Sequence, residues 1–164
     1  MMRKLLMLGL ALTVSLTACS SGNDTAAQQT LQKKADILAI AQIERNWHEA
    51  SSTKDIDLMM SLWSDDATFT VGSVTFTGKE QIRHFFVTQA GPFQPQNHWV
   101  SDMPAYKERI TVNGDNGTLK FECDYIDVAT GKVASVVSAD QDVQRINGKW
   151  LITNSVAATP ELST

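Results

Sequence analysis

The sequence predicts an α+β domain in which three N-terminal helices, with a β-hairpin inserted between the second and third, are followed by a meander of long antiparallel strands. Three observations carry that prediction. Apolar residues recur at three- and four-residue steps as far as position 51. Residues 63–86 hold two short alternating runs and then change abruptly to helical spacing. From about residue 105 onward, four long alternating runs are separated by glycine-containing turns.

The N-terminus is set apart before any fold argument. Arg3 and Lys4 precede an apolar run from Leu5 to Leu16, the pattern of a secretory signal and too short for a membrane span. It ends in Leu16-Thr17-Ala18-Cys19, which resembles the bacterial lipobox. The resemblance implies cleavage before Cys19 and lipidation of that cysteine, and so an envelope protein anchored through its N-terminal lipid. Ser20, directly after the lipid cysteine, favours the outer membrane under the enterobacterial sorting rule. Residues 1–18 are thus expected as signal peptide, 19–30 as a polar tether without hydrophobic periodicity, and 31–160 as one domain. Removing Arg3 and Lys4 takes the balance from 14 basic and 18 acidic residues to 12 and 18, a net charge near −6. Nucleic acid and anionic headgroups are poor partners for such a surface. With Cys19 lipidated, Cys123 has no disulfide partner and is expected as a small core residue.

Ile37, Ile40, Glu44, Trp47 and Ser51 follow helical steps beside a track of Leu31, Ala35, Leu38 and Ala41, which predicts a first helix over about 29–51 with Trp47 facing inward. Asp55 is placed to N-cap a second, short helix with Leu58, Met59, Leu62 and Trp63 on its buried side, ended by Asp65 and Asp66. Ala67, Phe69 and Val71 alternate with threonines, Gly72 and Ser73 turn the chain, and Val74 and Phe76 return, the pattern of a hairpin. Thr77 and Glu80 have capping-box spacing ahead of a third helix striped by Ile82, Phe85 and Phe86, which Gly91, Pro92 and Pro95 break. Strands follow at about 105–113, 117–127, 132–145 and 149–158. In the second of these Leu119, Phe121, Cys123 and Tyr125 share the inward face; in the last, Trp150, Ile152, Asn154 and Val156 share one face.

The segments "DIDLMMSLWSDDATFTVG", "TFTGKEQIRHFF", "NHWVSDM" and "INGKWLITN", in this order and spacing over about residues 33–158, resemble the SnoaL-like domains of the NTF2-like superfamily. That resemblance implies a cone in which the three helices pack on a curved antiparallel sheet, its mouth opening on a pocket between them. It also implies a pocket histidine at His98, paired in many members with an acid after the first helix. Here Ser51, Ser52 and Thr53 occupy the place of that acid, leaving Asp102 and Asp140 as the carboxylates that could orient His98. His48 and His84, beside Trp47 and Phe85 on helices, are read as structural or exposed.

The lining expected from these placements is Trp47, Phe86, Trp99 and Tyr125, with Tyr125 the one hydroxyl on its face and Asn154 a polar contact. No metal-ligand spacing, glycine-rich phosphate loop or nucleophile elbow occurs, so no metal and no cofactor are expected. Three functions fit. The first is a cone binding a small, largely apolar molecule. The second is a cofactor-independent isomerase, cyclase or hydro-lyase with His98 as base and Asp102, Asp140 or Tyr125 orienting or donating. The third is an interaction domain that forms homodimers through its sheet.

Overall fold

The computed structural model describes residues 21–101 and 106–158. Helix α1 (Ser21–Thr53) is followed by the short α2 (Ile56–Met60), strand β1 (Trp63–Val71), β2 (Val74–Thr77), α3 (Gly78–Thr88), a 3-10 turn at Gly91–Phe93, and β3 (Trp99–Ser101). The chain ends in β4 (Tyr106–Asn113), β5 (Asn116–Asp127), β6 (Lys132–Ile146) and β7 (Lys149–Ala158). The strands form one curved, unclosed sheet in the order β2-β1-β7-β6-β5-β3, with β4 pairing the other stretch of β5.

The expectation of a wholly antiparallel sheet is corrected: β1 runs parallel to β7, so the sheet is mixed. The reason is connectivity. β1 leaves the helices and meets β7 only after five other strands have been laid down, and neighbours separated so far in sequence need no hairpin between them.

β1 and β2 are joined by Gly72-Ser73, with Val71 opposite Val74 and Gly72 at φ 60°, a two-residue turn that suits glycine. Asp55 caps α2, its carboxylate accepting from the amides of Asp57 and Leu58 at 3.1 and 2.9 Å.

Several local expectations change. Helix α1 begins at Ser21, so positions 21–30, expected as an irregular tether, are helical, and Thr25 to Ala35 are exposed along it. Leu31 and Leu38, expected on a buried track, are each 66 % exposed; the packed face runs through Asp36, Ile40, Ile43, Glu44, Trp47, His48 and Ser51. Asp65 and Asp66 end no helix: both lie exposed in β1, the first ion-paired to Lys79 and the second accepting from Ser64. At α3 it is Gln81, not Glu80, whose side chain reaches back to the Thr77 amide, at 3.0 Å. The core fills the space between α1, α3 and the concave face of the sheet, centred on Trp47, Trp63, Phe69, Phe86 and Phe121.

Candidate functional site

A cavity of about 320 Å³ opens between α1, α3, the 3-10 turn and the concave face of β5, β6 and β7. Its walls are aromatic. Trp47 comes from α1, Phe69 from β1, Phe85 and Phe86 from α3, Phe93 from the turn and Trp99 from β3. Phe69 and Phe86 stack at 5.6 Å and 10°, and Trp47 meets the edge of Phe86 at 5.6 Å. The floor is made of small or aliphatic residues, Val137 and Ala157.

The mouth is braced by contacts that sequence reasoning missed. Lys54, in the left-handed region at φ 58°, donates its ammonium to the carbonyls of Pro92, Gln94 and Asn97 at 3.0, 2.6 and 2.7 Å, tying the end of α1 to the loop over the mouth. Within that loop Gly91 lies against the Trp99 indole so closely that a Cβ there would sit 2.4 Å from a ring carbon. A lysine just past a helix C-terminus gives no pattern by which its three distant carbonyls could be read.

The polar groups on the cavity wall are few and uncharged. Tyr125 donates its hydroxyl to Ser51 Oγ at 3.2 Å and accepts from Trp47 Nε1 at 3.3 Å. Burial, above all, holds the Tyr125 phenol well above its ordinary range, so it stays a neutral donor and acceptor at any physiological pH. Gln89 and Ser135 add to the polar lining, and among the described residues none that lines the cavity is Asp, Glu, His, Lys or Arg.

Of the expected ligand contacts, Trp47, Phe86, Trp99 and Tyr125 all line the cavity. Asn154 does not: it sits on the outer side of β7, accepting from Thr68 Oγ1 at 2.8 Å and donating to Asp142 at 3.2 Å. A bulge causes this. Asp142 pairs with Asn154 but Val143 pairs with Ile152, so Thr153 is an extra residue and the facing of β7 inverts beyond it, bringing Ser155 and Ala157 inward.

The expected acid–base residues are not brought together. His98 is exposed and does not line the cavity; it precedes β3 in a strand phase in which Trp99 and Ser101 face inward and His98 and Val100 face out. Asp140 lies on the outer face of β6, half exposed and ion-paired with Lys120. Asp102 falls outside the described residues.

The histidine that is buried is His48, with no exposed surface at all. Its Nδ1 contacts Ser101 Oγ and its Nε2 lies 2.6 Å from Glu44 Oε1, one turn earlier on α1. The second contact becomes an ion pair when the imidazole is protonated, and it is not an aligned hydrogen bond. Ser52 Oγ accepts from the Ser101 amide at 2.8 Å, so this group locks β3 onto α1. It lies behind the cavity wall and lines none of it. The signal was present as Glu44 and His48 at i, i+4, but nothing local pointed to Ser101, fifty-three residues on. Nearby, burial, against the lowering influence of the Tyr125 and Ser101 hydroxyls, pushes the Cys123 thiol up to about 12, which keeps it protonated.

The model of the SnoaL-like domain family matches residues 32–156. The chain belongs to this family. Among solved structures, the SnoaL-like domain is similar to an NTF2-like protein with a cystatin-like fold from Novosphingobium aromaticivorans, at 17 % identity and a TM-score of 0.67 over 90 % of this chain and 94 % of that one. It is also similar to an NTF2-like protein of unknown function from Pseudomonas putida (16 % identity, TM-score 0.66, 80 % and 88 % covered) and to LinA (19 %, 0.63, 80 % and 90 %). At these identities the likeness establishes the NTF2-like fold of the SnoaL-like domain and nothing of its chemistry. No curated protein sequence matches the chain.

Proposed function

We propose that this SnoaL-like domain binds a small, uncharged and largely apolar molecule in its cone, and that it is carried in a bacterial envelope by lipid on Cys19. One observation carries the binding reading: a cavity of about 320 Å³ has seven aromatic side chains in its walls and, among the described residues, no charged one. Such a lining rewards removal of apolar surface from water and penalises an ionised group, because no counter-charge meets it. The Tyr125–Ser51–Trp47 cluster supplies directional contacts without supplying charge. The rival reading, acid–base catalysis, needs a group that gains and loses a proton near neutral pH within reach of the ligand. His98 and Asp140 point away from the cavity, and His48 lies behind its wall.

For anchoring, the support is the signal-like run ending at Cys19 and the form of α1. Its exposed residues Thr25 to Ala35 make a helical stalk of about 15 Å at 1.5 Å per residue, which would hold the cone off a membrane surface. No helix among the described residues is long and apolar enough to cross a membrane.

The test of binding uses 1-aminoanthracene, a neutral aromatic amine whose emission rises on leaving water. Saturable enhancement is expected in the natural chain, and its loss in Val137→Trp, which fills the cavity floor; equal enhancement in both would defeat the reading. The test of anchoring is fractionation of cells: Cys19→Ser is expected to move the protein from the membrane to the soluble fraction, and unchanged membrane association would defeat it.

A further inference from the structure

Among the described residues, three polar side chains in the interior of the cone have no hydrogen-bond partner. They are Gln141, at both its amide oxygen and nitrogen, Ser155 at its hydroxyl, and Trp63 at its indole nitrogen. All three residues are 0 % exposed. Leaving one such group unsatisfied costs more than a hydrogen bond returns, so three of them in one region need a physical reason.

They are neighbours. Gln141 and Ser155 are directly opposite each other on β6 and β7, and Ser155 is opposite Phe69, a wall of the cavity, on β1. The Trp63 ring packs on Phe69 at 5.3 Å. Between this group and the cavity lies one row of inward positions on those two strands, and it holds only Ala139 and Ala157, paired with each other, Ala157 itself lining the cavity. Methyl groups on that row leave the Gln141 amide and the Ser155 hydroxyl unscreened by any large side chain of their own strands.

We propose that the cavity ends in this polar group, and that Gln141, Ser155 and Trp63 form a deep subsite for the neutral amide of an otherwise apolar ligand, a carboxamide or a lactam. The inference rests on the reading of the cone as a binding cavity and adds the chemical class of what it holds. The class follows from the atoms on offer. Gln141 presents one acceptor and two N–H donors, Trp63 one donor, and Ser155 one of each. A partner matching that set must accept and donate at adjacent atoms. A planar amide does both, and pairs with the Gln141 amide through two parallel hydrogen bonds. A carboxylate accepts only, and would be buried with no cation among these residues; an ammonium would be buried with no anion. A hydrocarbon would leave all three side chains as they are.

The experiment compares naphthalene-2-carboxamide with 2-isopropenylnaphthalene, a planar compound of the same shape that has no hydrogen-bonding atoms, binding to the full chain in a calorimeter. The amide is expected to bind about 30-fold more tightly, the effect of two partly compensated hydrogen bonds. In Ser155→Ala and in Gln141→Met that advantage is expected to shrink to about threefold or less, while the affinity for the isopropenyl compound stays within about threefold of the natural chain. Ser155→Ala removes a single oxygen, so the comparison stands if Gln141→Met does not fold. No preference for the amide in the natural chain overturns the proposal. So does a preference that survives both substitutions, which would mean that the three groups hold internal water instead. Binding of the isopropenyl compound with no amide preference defeats the subsite alone. Failure of both compounds to bind, together with no 1-aminoanthracene signal, defeats the binding reading beneath it.

Discussion

Strands β5 and β7 both line the interior of the cone, and they build different things. β5 keeps strict alternation: Leu119, Phe121, Cys123 and Tyr125 face inward at 0, 3, 0 and 2 % exposure, and the first two fill the core. β7 begins the same way, with Trp150 and Ile152 inward, then spends one residue on the bulge at Thr153 and continues inward with Ser155 and Ala157. At Leu119 and Phe121 the regular strand presents large side chains, and beside them the cone is solid. The bulged strand switches to small ones, and there the cone is hollow. A cavity in this fold is thus made less by widening the sheet than by changing which residues one strand turns inward.

The strongest way to break that comparison is to hollow the solid wall. Phe121 is 3 % exposed and meets Trp47 edge-on at 5.9 Å, so Phe121→Ala is expected to cost about 3–5 kcal/mol in a denaturant melt. Val156, 47 % exposed on the far side of β7, gives the contrast: Val156→Thr should stay within about 0.5 kcal/mol. A loss below about 1 kcal/mol for Phe121→Ala would mean that the β5 face is not the core.

A second effect tests the closed end, where the same strands meet α1. Asp36 is 5 % exposed there, pairs with Arg145 at 2.7 Å, and accepts from Trp150 Nε1 at 3.3 Å and Gln32 at 3.0 Å. Burial opposes its charge, but Arg145 and the other donors outweigh burial and hold the carboxyl below its usual 3.8. A depressed folded value means that the contribution is fully present above the unfolded value and is lost as pH falls through the folded one. Asp36→Asn should accordingly lower Tm at pH 7, and the gap between variant and natural chain should close as pH falls below 3.8. A gap independent of pH would remove the ion pair from the account.

A third concerns reactivity rather than stability. In a Cys19→Ser background, the Cys123 thiol, buried and raised to about 12, should resist iodoacetamide at pH 8 in the folded chain and react at once in denaturant. Modification of the folded chain at the rate of the unfolded one would place Cys123 on a surface.

What could be read beforehand follows the same division. The inward face of β5 was legible because its period of two is never interrupted, and the helices because Trp47, Ile82 and Phe86 recur at helical steps. Three cavity residues, Trp47, Phe86 and Tyr125, came with those elements, and Trp99 with the segment "NHWVSDM" that carries the family resemblance. The misplaced residues share a cause in long-range geometry. His98 depends on the phase at which β3 docks onto β5, Asp140 on which face of β6 meets the helices, and the parallel pairing of β1 with β7 on the whole topology. Lys54 and the His48–Ser101 contact join segments about forty and fifty residues apart, and no local pattern encodes either.

The smallest expected effect is the sharpest test of the bulge. If Thr153 is the extra residue, Asn154 faces outward and holds β1 to β7 and β6 through Thr68 and Asp142 alone. Both bonds are near solvent, so Asn154→Ala should cost no more than about 1 kcal/mol and leave 1-aminoanthracene affinity unchanged. If β7 instead alternated without interruption, Asn154 would share the inward face with Ile152 and take the place of Ser155 beside Gln141. In that register Asn154→Ala would shrink the preference for naphthalene-2-carboxamide over 2-isopropenylnaphthalene, and Ser155→Ala would be the silent one. Measuring the two variants side by side therefore reads the facing of β7 directly, because each register assigns the binding effect to a different residue.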